Sequence, residues 1–501
     1  MIDRNNISPL SRLTNRIEKF TERTFLDQKL NNWLGYTLCF LFAGAIGYLM
    51  AEKTLIGLGV TALLLGLTIV MVCLLNTEAG LYINMFYAFF ICHFDRMVLD
   101  NQLQVGIFQD ILVYVTFLGF FVRKVNLKRS LNQFTSTSVV IMLLAVYGYM
   151  AIELFNPYAV FFVGWFPAFR KILSTLLILF ISFNVFNSWA AIKRFISVLF
   201  VSCVLVAIYA CIQQAHGLFE FEMNWLRTDP RRFRMTFVGG GAKKMSTMPD
   251  ALSFSIIMAT CSVFFIAIAN GIRGAWRKTV LIGGAMLMLI AMSYAITRTA
   301  NAMVVGGIAL FVLLTLDKRV NRALAVFAVV VFLLMLYLPV YNPQLDQFRQ
   351  TFRTSNDPSY LVRENNRKSI QPYMYRHPIG GGLGTTGSEG LEYNPGHYLS
   401  GFPPDSGYLK KSLEMGWIGF GMICILYFLI LRTGIRGYFH TRDPKIRTLY
   451  AAATAACFAF YVGDFSQVAI GQITDVMVYY PFIALILKLK DFDQPTKTPT
   501  A

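Results

Sequence analysis

Charged residues are scarce in this sequence: Asp, Glu, Lys and Arg together make up 14% of its 501 residues. Hydrophobic residues make up 56%, and the mean hydropathy is +0.54. This balance excludes an ordinary soluble domain, because soluble chains carry about a quarter charged residues. The composition predicts an integral membrane protein that crosses the bilayer several times.

Familiar cofactor motifs are also missing. The sequence has no Walker motif, no dinucleotide glycine fingerprint and no His-x-x-x-His pair, so we predict neither a cofactor nor a bound metal. Its eight cysteines fall within or at the ends of apolar segments without metal-type spacing, which is typical of small core residues. Residues 1–32 lack an apolar core, and we therefore expect no cleaved signal peptide.

Apolar runs long enough to cross a bilayer follow one another along most of the chain. A membrane-spanning helix needs about 17 to 25 such residues. Runs of about this kind lie near 33–50, 54–75, 79–94, 105–122, 137–155, 171–188, 192–214, 251–270, 279–296, 300–316, 323–341, 407–431, 448–463 and 470–487. They predict an all-α, polytopic integral membrane protein with about fourteen transmembrane helices and one large extracytoplasmic loop.

The polar segments between these runs set the predicted domain organisation and orientation. Lysine and arginine concentrate in short loops such as "RKVNLKR", which face the cytoplasm if both termini are inside. The net charge of +18 then reflects topology and contact with anionic lipids, and we expect no nucleic-acid partner. The predicted parts are a cytoplasmic N-terminal segment (1–32), an N-terminal transmembrane bundle (33–214), a basic extracytoplasmic loop (215–250), transmembrane helices (251–341), a large extracytoplasmic loop (342–406), C-terminal transmembrane helices (407–487) and a cytoplasmic tail (488–501).

Three segments on the predicted outer side carry arginines. Arg234 belongs to a basic cluster in "LRTDPRRFRMTFVGGGAKK", and Arg298 lies in the short turn "ITRTANA". Arg363 and Arg367 share one face of a predicted helix that ends at Pro372. The planar guanidinium group suits phosphate or diphosphate. Translocation of a loop regardless of its charge, or contact with lipid phosphate, would explain the same arginines without a binding site.

The order of these motifs resembles a known family. "ITRTANA" with Arg298, Arg363 ahead of "HPIGGGLG", and "DSGYLKKSLEMGWIGFG" are similar to the O-antigen ligase and O-antigen polymerase superfamily of bacterial envelope glycosyltransferases, over roughly residues 225–485. The resemblance implies a GT-C-like helical bundle in the bacterial inner membrane. Such an enzyme transfers or polymerises a glycan linked to polyprenyl diphosphate, such as undecaprenyl diphosphate, at the outer face of that membrane. It builds O-antigen, capsule or exopolysaccharide, without a nucleotide sugar or an obligatory metal.

The resemblance also implies roles and partners. The diphosphate leaving group would be bound by Arg234, Arg298 and Arg363. Arg367 would lie on the same helix face as Arg363. The implied partners are the polyprenyl diphosphate-linked oligosaccharide, a glycan or lipid acceptor, and, in the same membrane, flippase and chain-length regulator proteins.

The sequence departs from the ligase pattern at Asp405. Ligases have a histidine at this place, eleven residues before the glycine that matches Gly416. A carboxylate here could accept the proton of an acceptor sugar hydroxyl, or it could cap the helix that follows. His397, in the same loop, is the alternative base. The departure favours a polymerase, whose acceptor is a second lipid-linked repeat unit, over a ligase, whose acceptor is a lipid A core or a protein.

Other residues of the large loop are candidates for contact with the glycan. Gly380 and Gly382 could let backbone amides approach phosphate, or could give a flap its flexibility. Tyr408 could stack on a sugar or line the core of the loop. Acidic residues inside the predicted spans, Asp464 among them, are expected to pair with the outer arginines. A lipid-linked oligosaccharide flippase is the alternative function and a non-catalytic assembly subunit the third, but we detect no repeat of the kind that carriers show.

Overall fold

The computed structural model describes residues 33–98, 105–123, 127–238, 241–317, 319–337, 349 and 358–493. The predicted N-terminal segment 1–32 and the end of the predicted tail, 494–501, lie outside these residues. The described chain is helical apart from turns and a short antiparallel ribbon of β1 (Phe237–Val238) and β2 (Gly241–Ala242). The predicted all-α fold class is confirmed.

The helices follow the predicted apolar runs in order. The N-terminal ones are α1 (Trp33–Glu52), α2 (Thr54–Leu75), α3 (Thr77–Val98), α4 (Val105–Arg123), α5 (Leu127–Thr135), α6 (Ser138–Ile152), α7 (Trp165–Val185) and α8 (Trp189–His216). The middle ones are α9 (Glu220–Arg227), α10 (Pro230–Thr236), α11 (Ala251–Ala269), α12 (Ala275–Ser293), α13 (Arg298–Leu314) and α14 (Arg319–Tyr337). The C-terminal ones are α15 (Pro358–Arg376), α16 (Gly387–Tyr393), α17 (Gly407–His440), α18 (Pro444–Ser466) and α19 (Ile473–Lys488), and short 3-10 turns lie at Glu153–Phe155, Phe162–Gly164 and Leu489–Phe492.

The chain forms two compact units. The first comprises residues up to 84 together with 111–133, and the second comprises 85–110 and 134–501. Within the first unit α3 meets α4 closely, because the Asn84 amide donates a hydrogen bond of 3.0 Å to the Thr116 hydroxyl. Every candidate site residue lies in the second unit.

The core of the second unit is built around α11 and α18, whose apolar stretches are mostly buried within protein. Small residues let the neighbouring helices approach one another. A Cβ atom added to Gly307 of α13 would lie 2.9 Å from Val263 of α11 and 3.2 Å from Ala459 of α18. Close packing of this kind holds helices together in lipid, where the hydrophobic effect between helices is lost.

Nine of the described helical segments are long and apolar enough to cross a membrane. A helix occupies each of the predicted positions, but the count of about fourteen spans is not confirmed. Helix α3 carries buried charges at Asp95 and Arg96, and α13 and α19 have only 17 and 16 residues. The chain is therefore a multi-pass helical membrane protein, with nine clear candidate spans among the described residues.

Candidate active site

Two arginines of α15 reach the last turn of α18. Arg363 donates a hydrogen bond of 3.4 Å to the backbone carbonyl of Ser466, and Arg367 donates one of 3.5 Å to the carbonyl of Phe465. The Arg367 guanidinium also lies 5.3 Å from the centre of the Phe465 ring. The last carbonyls of a helix lack partners within the helix and carry its negative end, so they suit guanidinium groups. The prediction that Arg363 and Arg367 share one helix face is confirmed.

Helix α15 does not end at Pro372, as the sequence predicts, but continues to Arg376. Packing stabilises this last turn although proline removes a backbone donor. Ile370 is buried with Leu399 and Leu413, and Met374 packs against the same cluster.

Arg298 joins the same place from a third element. It is the first residue of α13, after Ile296 in the left-handed backbone region at φ 54°. The next residue, Thr299, is hydrogen-bonded through its hydroxyl to the hydroxyl of Ser466 over 2.9 Å. Arg298 and Arg363 lie close enough for their like charges to repel each other. Two guanidinium groups drawn together in this way favour a bound anion between them.

Arg234 lies apart from this group in the described contacts. It is exposed on α10 and donates a hydrogen bond of 3.3 Å to Pro230 of its own helix. Another residue of the basic loop contacts the turn that precedes Arg298. The backbone N–H of Lys244 donates a hydrogen bond of 3.0 Å to the carbonyl of Tyr294. Burial lowers the pKa of the Lys244 ammonium group, while the charge of Glu222 opposes that shift. The role of Arg234 at a diphosphate stays a prediction.

Asp405 faces the arginine helix. Its carboxylate accepts a hydrogen bond of 3.4 Å from the side-chain amide of Asn366, which lies on α15 between Arg363 and Arg367. The alternative that Asp405 caps α17 is wrong, because the cap is Ser406, whose hydroxyl accepts from the backbone N–H of Leu409 over 3.5 Å. The half-buried Asp405 carboxylate is thus available to accept a proton beside the arginines.

The start of α17 is fastened to the end of α18, and this contact positions Asp405. The Ser406 hydroxyl donates to the backbone carbonyl of Asp464 over 3.1 Å, and the Gly407 N–H donates to the carbonyl of Gln467 over 3.1 Å. Glycine is required at 407, because a Cβ atom there would come within 1.8 Å of the Asp464 carboxylate. The two helix ends therefore approach more closely than any other residue type would allow.

Asp464 is the buried centre of this junction. Its side chain has no exposed surface and forms an ion pair with Lys411. The same carboxylate accepts hydrogen bonds of 3.2 Å from the Tyr427 hydroxyl and 3.2 Å from the Ala469 N–H. The expectation that Asp464 pairs with an outer arginine is wrong, since its partner is a lysine one turn into α17. The carbonyls that hold Arg367 and Arg363 belong to the next two residues.

His397 is poorly suited to act as a base. Its Nδ1 accepts a hydrogen bond of 3.1 Å from the backbone N–H of Leu399. Burial lowers the pKa of the His397 imidazole, against a backbone hydrogen bond to Tyr158 that raises it. With Nδ1 as acceptor, Nε2 carries the proton for the Tyr158 bond, so neither nitrogen offers a lone pair to a substrate.

The glycine run of the large loop packs against an interruption in α17. Gly381 and Gly382 donate backbone hydrogen bonds of 2.8 and 2.9 Å to the carbonyls of Leu413 and Glu414. These carbonyls precede Gly416, whose φ of 64° breaks the helical geometry inside α17. The amides are therefore occupied by protein carbonyls, which leaves them no donor for phosphate.

Gly380 and Tyr408 are likewise engaged within the protein. The Gly380 N–H donates to the carbonyl of His377 over 3.0 Å. The Tyr408 hydroxyl donates to the carbonyl of Tyr461 over 3.1 Å, and its ring meets that of Tyr427 edge to face. Contact of Gly380, Gly382 and Tyr408 with a glycan stays a prediction. In the described ranges no group of three or more His, Cys, Asp or Glu residues could hold a metal ion.

Part of the sequence is similar to a known protein family. Residues 283–424 match the family model described as O-antigen ligase. The matched segment includes Arg298, Arg363 and Asp405, and it stops before Asp464 and Ser466. No curated protein matches the chain.

Proposed function

Since residues 283–424 match the family model described as O-antigen ligase, we propose that this multi-pass membrane protein transfers or polymerises a polyprenyl diphosphate-linked glycan. The reaction takes place at the outer face of the bacterial inner membrane, with both termini in the cytoplasm. The observation that carries the proposal is that Arg363 and Arg367 contact the last turn of α18. Thr299, next to Arg298, contacts the same turn, and Asp405 contacts Asn366 between the two arginines of α15.

The arginines bind the leaving group. Each guanidinium group has five N–H donors, and the described contacts of Arg363 and Arg367 occupy one donor each. The remaining donors match the oxygens of a diphosphate, and Arg298 adds a third positive charge. Negative charge grows on the diphosphate as its bond to the sugar breaks, so fixed positive charge here stabilises the transition state more than the bound donor. Charge neutralisation by arginine lets the reaction proceed without a bound metal.

Asp405 acts on the acceptor. Its carboxylate takes the proton of an acceptor hydroxyl as that oxygen forms a bond to the anomeric carbon of the donor sugar, while the bond from this carbon to the diphosphate breaks. The products are the lengthened glycan, the polyprenyl diphosphate and a protonated Asp405. Asn366 orients the carboxylate through its amide.

The acceptor is a second lipid-linked repeat unit, which makes the chain a polymerase of O-antigen, capsule or exopolysaccharide. The support for this choice is the aspartate at 405, where ligases have a histidine. Donor and acceptor then both reach the site from the outer leaflet, after a flippase has delivered them, and chain-length regulators act on the product.

The test is Asp405→Asn in the purified full-length protein, supplied in detergent with lipid-linked repeat units. Asparagine keeps the contact with Asn366 but cannot serve as a carboxylate base, so we expect donor binding to persist and elongation to slow by about 100-fold or more. Detergent removes any need for flipping, and a transport defect therefore cannot imitate a chemical one.

Glu392→Gln is the matched control. It makes the same change from carboxylate to amide at an exposed residue of the same loop, so it should elongate at the wild-type rate. Normal elongation by Asp405→Asn would refute the aspartate mechanism. Failure of the wild-type protein to elongate with any donor and acceptor would favour a flippase.

A further inference from the structure

A small cavity opens at the end of the second unit opposite to the candidate active site. It has a volume of about 70 Å³, and its polar lining comprises Asn270, Thr315, Tyr438, Arg442, Arg447 and Thr448. These residues lie where α18 begins, whereas the candidate site lies where α18 ends. The 23 residues of α18 span about 34 Å, which exceeds the hydrocarbon thickness of about 30 Å. The cavity and the candidate site therefore face opposite sides of the membrane.

Arg447 contributes an unsatisfied donor to this cavity. One of its terminal nitrogens forms an ion pair of 2.9 Å with Asp317, and its guanidinium lies 4.3 Å from the centre of the Tyr438 ring. The Nε atom is buried and has no hydrogen-bond acceptor among the described residues. A buried guanidinium N–H calls for an acceptor, which an oxygen atom inside the cavity would supply.

The charge of the cavity is positive. Arg442 adds a second guanidinium, and within the described part of the chain no carboxylate lies at ion-pair distance from it. Asp317 pairs with Arg447, and Asp443 caps α18 through the N–H of Lys445 over 2.8 Å, but neither carboxylate lines the cavity. A lining with two guanidinium groups and no carboxylate favours an anion over a neutral water.

The hydroxyl groups in the lining point to the same conclusion. Thr315 donates to the carbonyl of Phe311 over 2.8 Å, and Thr448 donates to that of Pro444 over 2.8 Å. The hydroxyl protons of both threonines are used within their own helices, and the Tyr438 hydroxyl donates to Asp317 over 3.4 Å. The charged donors of the lining are those of the two arginines. Arginine N–H groups at a membrane surface recognise phosphate.

We propose that this cavity binds a single phosphate group, from the headgroup of an anionic phospholipid in the adjacent leaflet or from free phosphate. The cavity volume of about 70 Å³ exceeds the roughly 10–15 Å³ that one water molecule requires, so the cavity has room for one tetrahedral oxyanion. The site is separate from the proposed transferase site and does not depend on the identity of the glycan.

The test uses the full-length protein in nanodiscs of phosphatidylcholine with or without phosphatidylglycerol, followed by native mass spectrometry of retained lipid. A parallel arm measures the shift in melting temperature in detergent with inorganic phosphate. We expect Arg442→Gln to weaken the retention of phosphatidylglycerol, or the phosphate shift, by about tenfold, as loss of one charge-assisted contact predicts.

Lys445→Gln is the matched control, because it removes the same charge from an exposed residue of the same segment that does not line the cavity. Retention of phosphatidylglycerol without a phosphate shift identifies the lipid headgroup as the ligand, and the reverse identifies free phosphate. Equal loss in both variants would mean unspecific surface attraction and would overturn the proposal. No preference for either probe in the wild-type protein would leave water as the occupant and would also overturn it.

Discussion

At the scale of single residues, the shape of the guanidinium group matters as much as its charge. Arg298 and Arg363 lie close enough for their like charges to interact, so a diphosphate could contact both guanidinium groups. A lysine in place of either would relieve crowding yet lose the planar fork that holds two phosphate oxygens at once. Charge and geometry can therefore be separated by one substitution.

Arg298→Lys should reduce the rate of glycan transfer by about 100-fold or more at normal protein abundance, because an electrostatic stabiliser of the leaving group is lost. Arg231→Lys, an exposed position of the basic loop, is the control and should leave the rate unchanged. The measurement is elongation by purified protein at matched concentration. Wild-type polymer from both Arg298→Ala and Arg363→Ala would contradict the role of the arginines.

The residues of the candidate site were partly predictable from sequence. Arg298, Arg363, Arg367 and Asp405 stand out because charged groups are rare in such an apolar chain, and the structure brings them to one helix end. Sequence could not choose between Asp405 and Ser406 as the helix cap, since both residue types cap helices well. Only the position of the Ser406 hydroxyl relative to the Leu409 N–H decides it.

The contacts that support the site were not predicted, although Asp464 itself was singled out. Lys411 and Asp464 are more than fifty positions apart, and nothing local marks them as partners. Asn366 attracts no notice in a polar helix until its contact with Asp405 is known. The "KK" in "DSGYLKK" is a weak signal in hindsight, because two lysines at the start of an apolar helix need an acid within reach.

At the scale of elements, the interruption of α17 docks the large outer loop. Gly416 has a φ of 64°, and a Cβ atom there would lie 1.9 Å from the carbonyl oxygen of Pro378. The loop that carries His397 and leads to Asp405 is bound to this kink through Gly381 and Gly382. Displacement of the kink should therefore disturb the approach to the site without changing any charge.

Gly416→Ala should destabilise the protein by more than about 2 kcal/mol, since the left-handed conformation alone costs alanine about 1–2 kcal/mol and the close contact adds to it. Transfer activity should fall together with the melting temperature. Gly421→Ala, five residues further along the same helix, is the control, because a Cβ atom there meets nothing within 4 Å. Equal stability of the two variants would show that the kink is not needed.

At the scale of the whole molecule, hydropathy located the helices, but it does not by itself show which of them span the membrane. The mean hydropathy of a segment indicates whether it could lie in lipid. It does not indicate whether the neighbours of that segment are lipid or other helices. Arg96 of α3 illustrates the difference: it is buried against the ring of Trp225 at 4.4 Å and donates to backbone carbonyls. The position of such a helix depends on contacts with residues far away in the sequence, and its own hydropathy does not predict those contacts.

The orientation of the molecule can be tested directly. Single cysteines at Glu392 and Lys445, both exposed, should lie on opposite faces of the membrane in a background without the native cysteines. We expect an impermeant thiol reagent to label Glu392→Cys in intact spheroplasts and Lys445→Cys only after lysis. The reverse pattern would place the candidate site in the cytoplasm and would rule out transfer at the outer face.

Among the described residues, Arg363 and Arg367 of α15 contact backbone carbonyls and form no ion pair with a carboxylate. A neutral acceptor steers a guanidinium without cancelling its charge, so an arriving donor has no counter-ion to displace. The arginines still attract the polyprenyl diphosphate after the glycan has been transferred, because this product carries more negative charge than the donor. We therefore expect release of the polyprenyl diphosphate, rather than the transfer step, to limit the turnover rate of the enzyme.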